Sequence, residues 1–455
     1  VVEVKEVKWW LRRRTLVCGA IAAVLLTAAI FVLIRWRSNV VLAKELRAEI
    51  ETWLQTLPKI PDSENGMLPI LSGLEAFKDS LPERLNAKDF SVENESDKAL
   101  LKQYLTEKEE PLAQIYKGLS FSKFLFPGDY RKGYLRGTLR LVRLQNPARL
   151  LELKGNLLES EGKKSEALNE YLNILRLGET LSSERVIISR MIEGSVLDRA
   201  FEALTCMLSE RSVGEKDISA ALRSLIDQHG ERGNFFTMID AEYYFFLILV
   251  ANLIEGRTNF WEGISSRPGN ETPLALRIVM SKYFYDYCYD VGICRKAAEI
   301  WRRTDPAEYY ALPLEAKNYD ETLLKKVRLP AIRGFALTTC LPALRECVKT
   351  LAASETLWRG AIALAGVRLF EARNGRLPKN LQELGKLVPE EFLTDPFSGK
   401  EIIYRLEGND FCLYSVGSDG VDGNPVSVLP YFKEKKSAYD LPDIIFHAPP
   451  AGKGG

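Results

Sequence analysis

Apolar and polar positions divide the chain into three regimes. The first is an uncharged, apolar run from Thr15 to Ile34, bounded by Arg12, Arg13 and Arg14 on one side and by Arg35 and Arg37 on the other. About twenty such residues suffice to cross a hydrocarbon core as a helix. Trp9, Trp10 and Trp36 flank the run, at the depth where indoles settle in a membrane interface. A cleaved signal peptide is the alternative. Its apolar core is usually shorter and is followed by small residues, whereas Arg35-Trp36-Arg37 follows here. Residues 1–37 are therefore expected to be a retained anchor. The basic bias of the N-terminal flank places the N-terminus in the cytoplasm and the remaining chain outside. Val1 rather than Met at the start implies residues upstream of it.

The second regime, residues 38–350, has helical periodicity. Leu42, Leu46, Ile50 and Leu54 recur at helical spacing in a charged stretch, and Pro58, Pro61 and Ser63-Glu64-Asn65-Gly66 then break the pattern. Helical segments alternate with short Gly, Pro or Asn breaks as far as about residue 350, with few strand signals. Leu151, Gly155 and Leu158, followed by Ala167, Tyr171 and Ile174, have the spacing of a tetratricopeptide-type hairpin at about 147–177. Glu161-Gly162-Lys163-Lys164 supplies its turn, and the small residues at 155 and 167 allow a close helix approach. A single copy makes no peptide-binding superhelix, and an αα-hairpin inside a larger helical domain fits equally. Tyr243 to Ile254 is apolar but short, with Asp240, Glu242, Glu255 and Arg257 around it, which predicts a buried core helix rather than a second span.

The third regime, residues 351–447, mixes a helix with alternating strands. A helix from near Ser354 carries Trp358, Ile362, Ala365, Leu369 and Ala372 on one face, and Asn374-Gly375 stops it. A short helix at Asn380 to Leu387 and an Asp395-Pro396-Phe397-Ser398-Gly399 turn follow. Strands at Ile402 to Leu406 and Phe411 to Val416, joined by Glu407-Gly408-Asn409-Asp410, read as an antiparallel hairpin. The Gly417-Ser418-Asp419-Gly420-Val421-Asp422-Gly423-Asn424 loop comes next. The fold class expected is mainly α: an N-terminal transmembrane helix, an all-α middle domain and a small α+β module, with a flexible tail at 448–455.

The order of Gly375-Arg376-Leu377-Pro378, the 395–399 turn, the 415–420 loop and Asp443-Ile444 resembles the globular head of the major pseudopilin of type II secretion systems. That resemblance covers roughly a fifth of the chain. It implies a calcium ion in the last loop, with Ser415, Asp419, Asp422, Asn424, Asp440 and Asp443 as candidate ligands. Calcium takes six to eight oxygens in flexible geometry, which glycines at 417, 420 and 423 would permit. The alternative is a Gly/Asp turn that closes the sheet. An insertion carrying Lys433, Lys435 and Lys436 separates the loop from Asp440. The basic leader and Gly-Phe-Thr-Leu-x-Glu start of a pilin-type helix are not found around Thr15, so processing and polymerisation are not expected. The whole arrangement resembles membrane-anchored bacterial envelope proteins.

Charge and composition narrow the chemistry. A formal net charge of +1 with no long run of one sign gives no support for nucleic-acid binding. Two histidines, His229 and His447, leave little from which to build a zinc site or a His-based triad. Of the seven cysteines, Cys18 lies in the apolar run, while Cys206 and Cys412 are expected to be small core residues. Cys288/Cys294 and Cys340/Cys347 are the close pairs, and residues six or seven apart on a helix lie about 9–10 Å from each other along the axis, too far to bridge. Pro342 could bend the second segment enough for a disulfide; buried thiols are the other reading. Asp240, Glu242, Asp286 and Asp290, near Tyr283, Tyr285, Tyr287 and Tyr289, are candidate acids for glycan or peptide hydrolysis. Nothing fixes the separation such chemistry needs, and structural pairing is the alternative. No Gly-rich phosphate loop, nucleophile elbow or metalloprotease helix occurs. The expectation is a non-enzymatic, single-span protein of the bacterial inner membrane, largely periplasmic, binding other envelope proteins in a secretion or pilus-like assembly. A membrane-tethered hydrolase is the alternative.

Overall fold

A computed structural model describes residues 2–77, 80–136, 138–211, 213–231, 235–257, 281–303, 305–312, 344–423 and 442–449. The described chain is mainly helical, with one small sheet. A single helix, α1 (Val2–Thr56), carries both the apolar run and the amphipathic run without a break. No proline or glycine falls between residues 20 and 56 to interrupt it. The two halves have opposite environments. None of the apolar window beginning at Ala20 is buried, whereas Leu42, Leu46, Ile50 and Trp53 are all packed inside the protein.

Those four residues form one side of the smaller of two main cores. Its centre is α10 (Phe235–Glu255), and 72% of the apolar window in that helix is buried, as expected of a core helix. Phe245, Phe246 and Val250 of α10 meet Tyr287, Val291 and Trp301 of α11 (Tyr287–Trp301) in the same cluster. Trp53 stacks on Tyr244 with centroids 4.6 Å apart.

The larger core runs through the remaining elements. Met67 and Ile70 of α2 (Met67–Leu74) lie against α5 (Glu109–Leu119), and α3 (Glu83–Asn86) and α4 (Glu95–Glu107) complete that corner. The predicted hairpin is α6 (Gln145–Ser160) and α7 (Lys164–Thr180). Gly155 faces Tyr171 so closely that a methyl group at 155 would overlap the phenol ring. That is the close approach expected of the small residue there. Tyr171 then fixes the hairpin by hydrogen bonds from its hydroxyl to Asn156 (2.8 Å) and Glu159 (3.0 Å). Next come α8 (Ile187–Ser209) and α9 (Glu215–Glu231), both of which pack against α12 (Leu344–Asn374).

Helix α12 starts ten residues before the expected Ser354, because Cys347, Val348 and Leu351 continue its apolar face into the core built around α10. Helix and core thus cross residues 350 and 351 without interruption. Gly375, at φ 66°, takes the left-handed turn that stops α12. The helix expected over Asn380 to Leu387 is only a 3₁₀ turn, Leu381–Leu384, capped by Asn380, whose side chain accepts from the Glu383 N–H. Leu381 and Leu384 are buried there, so one turn suffices to close the core.

The hairpin is present as β1 (Ile403–Glu407) and β2 (Asp410–Ser415), in antiparallel register with Tyr404 opposite Leu413. A third strand, β3 (Ile444–His447), pairs antiparallel with the other edge of β2, giving the order β1-β2-β3.

Cysteine placement differs in part from expectation. Cys412 is buried, but Cys206 lies on the solvent stripe of α8 that also carries Arg199 and Glu202, and is exposed. Cys288 and Cys294 are not bridged: six residues apart on α11, one is exposed and the other buried. Cys340 and Pro342 lie outside the described residues.

Candidate functional site

Three groups of polar side chains carry candidate chemistry. The first comprises the acids near the tyrosines. Asp240 pairs with Arg302 at 2.6 Å, and that guanidinium sits 5.2 Å above the Tyr243 ring. Buried Glu242 accepts from the Ile187 N–H at 2.7 Å, which satisfies a donor at the start of α8. Asp286 is the N-cap of α11, accepting from the Tyr289 N–H, and pairs with Arg35 at 2.7 Å. Asp290 is fully buried and accepts from the Tyr285 hydroxyl at 2.8 Å. Burial pushes the Tyr287 hydroxyl well above its ordinary pKa, and the Asp290 charge adds to that shift. Each of the four acids therefore has a structural task.

Together with neighbouring groups they form a seat for α1. Asn39, buried on α1, donates to the carbonyls of Lys282 and Tyr285, both at 2.9 Å. Glu49 accepts from the Tyr243 hydroxyl (2.6 Å) and from Arg295 (2.8 Å). Arg47 forms hydrogen bonds with Asn252 and Glu255. Charged and amide groups at Arg35, Asn39, Arg47 and Glu49 thus tie α1 to α10, to α11 and to the 282–286 turn that leads into α11.

The second group is the glycine- and aspartate-rich loop. Ser415 is buried, and its Oγ accepts from the Gly417 N–H at 3.1 Å. Asp419 accepts from the Val421 N–H within its own turn, and Asp422 accepts from the Tyr414 hydroxyl at 2.7 Å. Asp443 accepts from the Gly423 N–H at 3.3 Å. Burial, followed by repulsion from Asp422 and Asp419, holds the Asp443 carboxyl above its ordinary pKa. Among the described residues, no three His, Cys, Asp or Glu side chains are grouped to hold a metal ion. The implied calcium ligands are therefore not assembled by their described members alone, and Asn424 and Asp440 lie outside the described residues.

Asp395 joins two of the motifs read in the sequence. One carboxylate oxygen accepts from the Phe397 N–H (2.9 Å), closing the 395–399 turn; the other accepts from the Val416 N–H (3.1 Å) at the end of β2. The turn and the loop are neighbours because one buried carboxylate serves both.

The third group was not legible as a unit. His447 of β3 lies between Ser209, at 3.0 Å from its Nδ1, and Asp410, at 3.0 Å from its Nε2. The outline is that of a Ser-His-Asp array, but Arg368 competes for the same imidazole nitrogen at 3.2 Å. Arg368 is buried on α12, lies over the Phe411 ring, and donates to the carbonyls of Leu208 (3.2 Å) and Ser209 (2.8 Å). It satisfies acceptors left open at the end of α8. Arg211 also donates to the Asn409 carbonyl in the β1–β2 turn. The cluster therefore ties α8, α12 and the sheet together. The other histidine, His229, meets Glu355 at 2.9 Å and presents its ring to Trp358 and Phe392.

No protein-family model, curated protein or solved structure matches the chain.

Proposed function

We propose that this is a single-span protein of the bacterial inner membrane, with a helical domain and head lying outside the cytoplasm and acting as a non-enzymatic assembly or protein-interaction component. The observation that carries this reading is the division of α1. From Ala20 to Ile34 no residue of its apolar half is buried, with Val24 68% and Leu25 64% accessible, while its amphipathic half is clamped into the protein. A soluble protein rarely exposes so much contiguous apolar surface, and a bilayer is its natural cover. The pseudopilin-like order of motifs in the head points to a secretion or pilus-like machine as its setting, and the α6–α7 hairpin is a tetratricopeptide-like element within the domain.

The hydrolase reading finds less support, because Asp240, Glu242, Asp286 and Asp290 all hold structural partners. Mild crosslinking of the full-length protein in its native membrane, followed by mass spectrometry of what copurifies, tests the proposal. Recovery of inner-membrane subunits of a secretion or pilus machine supports it. Recovery of only the protein itself, or of enzymes of envelope metabolism, overturns the assembly role.

A further inference from the structure

The seat of α1 ends in an exposed aromatic turn. Tyr283 is 44% and Phe284 41% accessible, although most large aromatic side chains in this core are buried. Lys282 lies beside them, its ammonium 5.6 Å from the Tyr283 ring centroid. The backbone on both sides of the pair is fixed to α1. Asn39 holds the carbonyls of Lys282 and Tyr285, and Arg35 holds Asp286 at 2.7 Å.

The position of those two anchor residues along α1 sets the depth of the turn. At a rise of about 1.5 Å per residue, Arg35 and Asn39 lie only about 1.5 and 7.5 Å beyond Ile34, where the apolar run ends. The headgroup layer on each face of a bilayer is about 5–7 Å thick. We propose that the Lys282-Tyr283-Phe284 turn is a second membrane contact, seated in the headgroup layer beside the point where α1 leaves the bilayer. This rests on the reading of α1 as a membrane span.

The chemistry of the turn fits a lipid interface. Tyrosine favours that layer because its ring is apolar and its hydroxyl remains hydrated, and phenylalanine adds apolar area facing the acyl chains. A lysine at the same level meets anionic headgroups. Trp36, 39% accessible on α1, lies at the same depth and continues the aromatic belt. Two points of attachment, one through the span and one beside it, prevent the domain from swivelling about α1. They hold it close to the membrane surface at a fixed tilt.

The test uses the full-length chain in vesicles of phosphatidylcholine and phosphatidylglycerol that contain two photoactivatable phospholipids, one with a diazirine near the headgroup to report the turn and one with a diazirine on its acyl chain to report the span. After illumination, mass spectrometry locates the lipid adducts. Adducts at residues 282–284, as well as along the span, are expected. In the double variant Tyr283→Ser, Phe284→Ser they should fall several-fold at the turn and persist along the span. Both side chains are exposed, so the variant keeps its core, and an unchanged thermal midpoint checks this. Labelling of the span without the turn overturns the inference and leaves the anchor standing. Labelling of neither overturns the anchor, and the second contact with it.

Discussion

Gly360 of α12 lies directly beneath the ring of Phe446 from β3, and a methyl group at 360 would overlap that ring. The third strand reaches the core only because the helix has no side chain at this point. Phe446 is itself almost fully buried, so the ring has little room to retreat. Gly360→Ala should therefore destabilise the protein by about 1–3 kcal/mol, the usual cost of overpacking. Urea unfolding in detergent measures it. The pair Gly360→Ala, Phe446→Leu should recover part of the loss; equal destabilisation by the single and double changes would show that the ring is not the obstacle.

Arg368 fastens the end of α8 to α12 and the sheet. It is almost fully buried and touches two carbonyls of α8, Glu371 at 2.8 Å and the imidazole of His447. Arg368→Met fills similar volume but leaves those acceptors open, and the expected cost is about 3 kcal/mol or more. Arg368→Lys should recover little, because one ammonium cannot reproduce a planar fork of donors lying over Phe411. Comparable midpoints for the Lys variant and the parent protein would contradict this account.

What was legible in the sequence was local. The stop at Asn374-Gly375, the turn at Asp395 and the Gly408 hairpin are each set by residues within a few positions of one another, and all three are present. The same holds for α6 and α7, where Gly155 and Tyr171 lie in one hairpin. Strand β3 was not legible, since four residues give little alternation to read and its partner β2 lies far away in sequence. Arg368, Glu355 and Glu193 were hidden for another reason. A charge within a helical pattern is ordinarily assigned to the solvent face, yet each of these is buried and paired. The candidate acids were visible as residues, but their partners Arg35, Ile187, Arg302 and Tyr285 could be known only from the fold.

Acid should weaken the His447 latch. Burial holds the imidazole below its ordinary pKa, Asp410 opposes that shift, and the cations Arg368 and Arg211 reinforce it. The unfolded chain then takes up a proton at about pH 6.5, while the folded one does not until a lower pH. The stability contributed by neutral His447 is complete above that range and declines as pH falls from about 6.5 towards the folded value. Thermal midpoints between pH 7.5 and 5.5 should fall more steeply for the parent protein than for His447→Asn. Parallel curves would mean that His447 titrates normally in the fold.

Asp443 gives the opposite sign and a test of the ion. Its folded pKa is raised, first by burial and then by Asp422 and Asp419, so its ionised form is favoured less in the fold than in the unfolded chain. The protonated carboxyl stabilises at low pH, and that contribution is lost as pH rises through the folded value. At pH 7 in chelator, Asp443→Asn should therefore raise the thermal midpoint of the full-length protein. A calcium ion held by Asp419, Asp422 and Asp443 would reverse the order. The parent protein would gain stability with calcium as mass action requires, and the variant would gain less. If the parent midpoint ignores both calcium and chelator while Asp443→Asn remains the more stable form, the loop is a turn that closes the sheet and binds no ion.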